Sequence, residues 1–190
     1  LGDVYKRQEW LNVFAVDNVL QRIADPCFIG ATITENRSVG AKVVCKNHPD
    51  EKVGVMCLKD NHPSIVEYYE LTPELRDAVD EDGEPAYNFG VILNYLFKES
   101  ELEDICENTL PLHIVEKKIP YIDDAGTLIK PEEPNGYKFE TLILDMIQMM
   151  DTCLPFEVER DKEFAPIKNK TGIDSVESAR ALLAKNGVTL

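Results

Sequence analysis

The stretch Asn12-Val13-Phe14-Ala15-Val16-Asp17-Asn18 decides the fold. A short apolar run, β-branched and aromatic, stops abruptly at a carboxylate. Such a run suits a strand over 11–16 buried on both faces, as in the middle of a parallel sheet. Open α/β sheets gather ligands outside the carboxyl ends of such strands. Two readings of Asp17 follow. It N-caps a short helix that Val19, Leu20 and Ile23 begin, or it faces a cleft where a carboxylate can hold Mg²⁺ carrying phosphate oxygens.

Beyond Asp17 the pattern predicts a helix over 19–24 ended by Asp25-Pro26, because the residue before proline avoids the α region. Residues 28–34 are compatible with helix or strand. Strands are expected at 42–46, 52–58 and 64–68, the last two joined by Asp60-Asn61-His62-Pro63, whose residues suit a hairpin turn. Gly54 inside a strand marks a bulge or a close approach by other atoms, from packing or from a ligand. Thr72-Pro73-Glu74 starts a helix that runs to about Val79, with threonine at the N-cap and proline at N1. The acidic Asp80-Glu81-Asp82-Gly83 lacks the alternating ligands of a Ca²⁺ loop and reads as a solvated turn. A strand at 87–93 and a helix over 100–108 capped by Ser100 follow.

Residues 113–118 are apolar and basic, 119–123 are extended, and Asp124-Ala125-Gly126 turns the chain into 127–130. Pro131-Glu132-Glu133-Pro134-Asn135-Gly136 then leads into a predicted helix whose apolar positions 139, 142, 143, 146, 147 and 150 share one face. That places Lys138 at a helix N-terminus. A cation there adds to the positive end of the macrodipole, which is unfavourable for stability but useful for phosphate, unless Lys138 is simply solvated. A strand at 154–159 and the irregular Phe164-Ala165-Pro166-Ile167-Lys168-Asn169 precede a last helix. That helix is expected to start at Asp174, with Glu177 completing a capping box, and to end at Asn186-Gly187. Strands alternating with helices around one hairpin region give an α/β fold with a mixed sheet.

The charges sum to −15 over 190 residues. Such a surface repels nucleic acid and anionic membranes, so neither is an expected partner, and an anionic substrate needs local cations. The cysteines at 27, 45, 57, 106 and 153 form no C-x-x-C pair and suit reduced thiols of a cytoplasmic protein. His48, His62 and His113 show no zinc-ligand spacing. No apolar run reaches the length of a membrane span, and no signal-like segment opens the chain. Residues 1–8 carry no clear period and are expected to be foreign to the fold or unstructured.

Several phrases, taken in order, resemble a known family: Val-Asp-Asn at 16–18, Ala-Asp-Pro-Cys-Phe-Ile-Gly at 24–30, Gly-Ala-Lys-Val-Val at 40–44 and Val-Glu-Tyr at 66–68. They continue with Lys-Lys-Ile-Pro-Tyr-Ile-Asp at 117–123, Leu-Ile-Lys-Pro at 128–131, Lys138 after Pro134-Asn135-Gly136, and Glu-Phe-Ala-Pro-Ile-Lys-Asn at 163–169. Residues 9–169 thus resemble the C-terminal half of the UDP-sugar pyrophosphorylases, in particular the UDP-N-acetylhexosamine pyrophosphorylase branch, with 170–190 as a helical tail. The resemblance implies a Rossmann-like nucleotide-diphospho-sugar transferase fold (GT-A-like, mixed sheet), incomplete at its N-terminus. It also implies a uridylyltransferase that converts UTP and a hexose or N-acetylhexosamine 1-phosphate into UDP-sugar and pyrophosphate, with Mg²⁺.

Carried over by position, Asp17 binds the metal and the nucleotide phosphates, and Lys138 binds the UTP phosphates. Lys168 holds the sugar-phosphate group, while Gly54, Glu67, Tyr68 and Asn88 line the sugar pocket. The family's glycine-rich nucleotide loop is not among these residues, so the missing N-terminal half of the domain is the expected partner and the isolated chain is expected to be inactive. Val91 stands where eukaryotic relatives carry a sugar-contacting asparagine, and Leu142 and Leu144 where they carry aromatics near the N-acetyl group. The alternative of a different class is a non-catalytic relative that binds a nucleotide sugar or a protein. A metal-dependent glycosyltransferase on the same fold wants a D-x-D pair, which Ala15-Val16-Asp17 lacks.

Overall fold

A computed structural model describes residues 8–189; the expectation for the first residues therefore falls, except at Gln8, outside the described residues. In chain order the elements begin with β1 (Trp10–Phe14), α1 (Pro26–Thr34), β2 (Val39–Cys45), β3 (Val55–Lys59), β4 (His62–Val66) and α2 (Pro73–Arg76). Next come β5 (Phe89–Lys98), α3 (Glu99–Ile105), β6 (His113–Lys117), β7 (Tyr121–Ile122) and β8 (Leu128–Ile129). The chain ends with β9 (Gly136–Glu140), α4 (Leu144–Gln148), β10 (Cys153–Glu157), α5 (Arg160–Glu163) and α6 (Val176–Lys185).

Six strands form one mixed sheet in the order β10-β2-β5-β3-β4, with β1 also on β5. Only β10 and β2 are parallel; the other pairs are antiparallel. β2 occupies one edge of the long β5, so β1 and β3 share the other edge. The β-branched residues of β2 fill both faces of the sheet. Val39, Ala41 and Val43 pack with Tyr95, Phe97 and the α4 residues Leu144 and Ile147, while Val44 packs with Val53, Ile92 and Phe164. A Cβ on Gly40 would lie 2.5 Å from Thr32 Oγ1 and 2.7 Å from the Phe28 ring, so glycine is what lets α1 lie this close to β2.

Several expectations need correction. The 11–16 strand is β1, which is half-buried and antiparallel rather than buried on both faces in a parallel sheet. No helix spans 19–24: Asp25 caps α1 by accepting from the Cys27 N–H (3.1 Å), and Pro26 starts that helix instead of ending an earlier one. Asp17 therefore caps nothing. The helix proposed to follow Lys138 begins only at Leu144, and Lys138 sits in β9, paired antiparallel with β6. There the long-range pairing with His113–Lys117 overrides the local apolar period, although Leu142, Ile143, Met146, Ile147 and Met150 do reach the core. α2 stops at Arg76, and α3 starts at Glu99 with Lys98 rather than Ser100 in the N-cap position. In α6 the capping box belongs to Ser175 and Ser178, one residue after Asp174.

Local signals did place other features. Asp60 (φ 53°) and Asn61 (φ 65°) form the two-residue turn between β3 and β4, the left-handed geometry that hairpins favour. Thr72 accepts from the Leu75 N–H at the start of α2, and Gly187 (φ 76°) follows α6.

Candidate active site

One cleft of about 310 Å³ opens beyond the end of β1, between the loop before β3, the end of β4 and the segment after α5. It gathers Asp17, Gly54, Glu67, Tyr68 and Lys168, five of the residues singled out in the sequence. Val91, Tyr95 and Leu144 give it apolar walls, and Lys52 adds a second cation.

The Asp17 loop is built from backbone and amide contacts. β5 slips register against β2 between the pairs Ala41–Tyr95 and Val43–Val91, and Leu93 in this bulge takes φ 52°. The bulge turns the Leu93 carbonyl toward the loop, where it accepts from Ala15 N–H (2.9 Å). Asn18, 4% exposed, donates from Nδ2 to the Glu163 carbonyl (2.7 Å) and accepts at Oδ1 from Ala165 N–H (2.8 Å). The Ile167 N–H donates to the Asp17 carbonyl (2.9 Å), and Val19 N–H to that of Ala165 (3.2 Å). The segments bearing Asp17 and Lys168 are thereby zipped together. Among the described residues the Asp17 carboxylate enters no hydrogen bond or ion pair, which leaves it available to a ligand in the cleft.

Behind this loop lies a fully buried cation. Lys42, 0% exposed, projects from β2 and donates to Asp25 (2.8 Å) and to Glu163, while Arg22 reaches the same two carboxylates from the surface side. Burial pushes the Asp25 carboxyl up, but the Lys42 hydrogen bond, the Cys27 N–H and the charges of Lys42 and Arg22 outweigh it, and its pKa lies below the ordinary value. Two acids and two bases close the charge locally and tie β2, the Asp25 cap and α5 together.

Glu67 follows β4, and its Oε1 lies 3.4 Å from where a Cβ on Gly54 would sit, so the glycine makes room for this carboxylate as well as for Ile65 and Val91. Burial, then the like charges of Glu70 and Asp145, push the Glu67 carboxyl up, against the opposing charges of His113 and Lys168. Tyr68 stacks edge-on against Tyr69 at 5.2 Å. Lys168 is exposed at the mouth, its backbone N–H held by the Asp174 carbonyl (2.7 Å).

Two named residues are not brought to the cleft. Lys138 lies on the outer ribbon, exposed and paired with Glu140. Asn88 accepts from Lys46 N–H through Oδ1 (2.9 Å) at the start of β5 and does not line the cavity. Sequence reasoning missed Lys52, the Asn18 clamp and the Lys42 network. A lysine inside Gly40-Ala41-Lys42-Val43-Val44 was itself a signal, since a lysine in a fully buried strand requires paired carboxylates.

Among the described residues no three His, Cys, Asp or Glu side chains converge as a metal cage. Mg²⁺ takes one or two carboxylates and fills its shell with waters and substrate phosphates. A lone, unpaired Asp17 carboxylate fits that donor set.

The family model for UTP–glucose-1-phosphate uridylyltransferase matches residues 5–189. The mouse UDP-N-acetylhexosamine pyrophosphorylase-like protein 1 is 42% identical over 184 residues, 94% of this chain and 36% of that protein. The yeast (Saccharomyces cerevisiae) UDP-N-acetylglucosamine pyrophosphorylase is 39% identical over 188 residues, 93% of this chain and 39% of the relative. A solved structure from Entamoeba histolytica, described as a candidate UDP-N-acetylglucosamine pyrophosphorylase, superposes with a TM-score of 0.84 at 33% identity, covering 95% of this chain and 46% of that one. The chain thus spans little more than a third of the length of the curated relatives it matches. With its mixed sheet, its bulged β5 and its cleft beyond β1, it belongs to the UTP–glucose-1-phosphate uridylyltransferase family.

Proposed function

We propose that this chain supplies the sugar-phosphate side of a uridylyltransferase active site that joins UTP and a sugar 1-phosphate into UDP-sugar and pyrophosphate. The observation that carries this reading is the convergence of Asp17 and Lys168, on two segments zipped by hydrogen bonds, at the mouth of a cleft floored by Gly54 and Glu67. A phosphate oxygen of the sugar 1-phosphate attacks the α-phosphorus of UTP, the new P–O bond forms, and the α–β bridge breaks to release pyrophosphate. Such a reaction needs alignment and neutralised charge more than acid–base groups. Lys168 holds the sugar phosphate, Glu67 accepts sugar hydroxyls, and Gly54 and Tyr68 shape the pocket. Asp17 holds Mg²⁺, which when bound draws charge from the phosphate oxygens.

The names of the relatives favour an N-acetylhexosamine 1-phosphate over a hexose 1-phosphate. Lys138 on its ribbon serves the UTP phosphates in the whole enzyme, whose glycine-rich loop is this chain's partner. The cytoplasm suits five free cysteines and a fold in which no described helix is long and apolar enough to cross a membrane.

The test is made in the full-length protein that carries this chain, following UDP-sugar and pyrophosphate. Asp17→Asn should lower turnover about a hundredfold and weaken the dependence on Mg²⁺. Lys168→Met should raise the KM for sugar 1-phosphate with Tm nearly unchanged. Normal turnover and metal titration in Asp17→Asn would remove Asp17 from the metal site, and a full-length parent that forms no UDP-sugar would overturn the reading in favour of a non-catalytic nucleotide-sugar-binding relative.

A further inference from the structure

We propose that Asn18 is a positioning residue: its carboxamide sets the Asp17 loop against the Lys168 segment and so fixes the spacing of the two charges that meet the phosphates. The inference rests on the function proposed above and adds a residue whose carboxamide is committed to the opposite segment of the protein.

Three features of the structure carry it. The carboxamide is nearly inaccessible and is spent on the opposite segment, donating to the Glu163 carbonyl (2.7 Å) and accepting from Ala165 N–H (2.8 Å). It thereby continues, with a side chain, the antiparallel bridge that the backbone makes between Asn18 and Pro166. The two rungs of that bridge run from Val19 N–H to the Ala165 carbonyl and from Ile167 N–H to the Asp17 carbonyl. Pro166 thus stands opposite Asn18 where no N–H is called for, and the amide group extends the ladder toward Glu163. The bridge is flanked on each side by a residue of the cleft, Asp17 one position before Asn18 and Lys168 two positions after Pro166. The far end of the clamp is immobile as well, because the Glu163 side chain is held by Lys42 and Arg22.

No other side chain can make both bonds at this length. Aspartate keeps the acceptor and, while ionised, loses the donor. Alanine loses both. Loosening the clamp frees the 164–168 segment while the sheet stays intact. The consequence is coupled: contacts assigned to Asp17 and contacts assigned to Lys168 weaken together, although neither residue has been altered.

The experiment compares the full-length protein with its Asn18→Ala, Asn18→Asp and Phe156→Ala variants. Phe156→Ala removes a ring that packs on Phe28 (5.3 Å) and does not line the cleft, and controls for lost stability. Well below every Tm, Asn18→Ala should raise the Mg²⁺ half-saturation and the KM for sugar 1-phosphate together, each about fivefold or more, and Phe156→Ala should raise neither. Asn18→Asp, which keeps the acceptor for Ala165 N–H and loses the donor to the Glu163 carbonyl, should raise both constants as well. Hydrogen exchange of the 164–168 backbone, measured without substrate, should quicken in Asn18→Ala while β2 and β5 stay protected. Kinetic constants that track Tm alone, or unchanged exchange of 164–168, overturn the clamp. A parent protein that makes no UDP-sugar overturns the proposed function instead, and the exchange measurement then still decides the clamp.

Discussion

Glu67 shows at the scale of one residue how a site is kept ready at a cost to the fold. Its carboxyl is largely withdrawn from water, faces Glu70 and Asp145 as well as His113 and Lys168, and titrates above the ordinary value of 4.5. A carboxyl raised in the folded state holds its proton more tightly there than in the unfolded chain. The stabilisation is therefore complete below the unfolded value and is lost as pH rises through the folded one. Glu67→Gln, neutral throughout, escapes that loss. Its Tm should exceed the parent's by more near neutral pH than near pH 4, while UDP-sugar formation falls, a gain in stability at the expense of function. A Tm difference independent of pH would show that burial of this charge is not the cause. Gly54 belongs to the same account, since any Cβ there presses on Ile65, Val91 and the Glu67 carboxylate.

At the scale of elements, β2 is the member on which the others depend. Its Lys42 joins the cap of α1 to α5 from inside the core, with Asp25 and Glu163 as counter-charges. Lys42→Met leaves two buried carboxylates without their central cation and should cost about 3–5 kcal/mol. Adding Asp25→Asn and Glu163→Gln should recover much of that loss, because a neutral, still hydrogen-bonded set replaces the stranded charges and asparagine still caps α1. Denaturant midpoints for the single and triple variants check both parts. The outer ribbon of β6 and β9 shows where reading a sequence locally stops. Residues 139–150 carry a helical period, yet 136–140 pair with the distant strand His113–Lys117, and only α4 keeps the period. Thr72-Pro73 and Asp60-Asn61 were legible because the geometry they impose is their own; Lys138 was not, because its conformation is set by His113–Lys117.

For the whole molecule the same division holds. The α/β class and the mixed sheet could be read from alternating apolar runs, and the convergence of Asp17, Glu67, Tyr68 and Lys168 from phrases resembling one family, with Gly54 marked as a glycine inside an expected strand. Lys42, Asn18 and Lys52 could not be placed that way, since their partners lie far along the chain. The cleft itself is open: Lys168 is exposed at its mouth, and the described residues include no glycine-rich loop to grip a triphosphate. Purified by itself, the 190-residue chain should form no UDP-sugar from UTP and a sugar 1-phosphate. β1 pairs on one side only among the described residues, and Ile114, Tyr137 and Phe139 lie exposed on one face of the ribbon, so self-association should accompany that inactivity. A coupled pyrophosphate assay and light scattering test the two halves; robust turnover by the isolated chain would place nucleotide binding within these residues.

The sealed lysine of β2 also gives the molecule an internal clock. An amine-reactive reagent cannot meet Lys42 Nζ until α1 lifts away from the Gly40 surface and both carboxylates let go, whereas lysines such as Lys138, Lys162 and Lys185 present their amines to solvent. In a pulse of acetylation read by peptide mass, the exposed lysines should be modified at once and Lys42 only at the rate at which this layer opens. The residue that binds β2 to its neighbours thus also records how often that bond is undone.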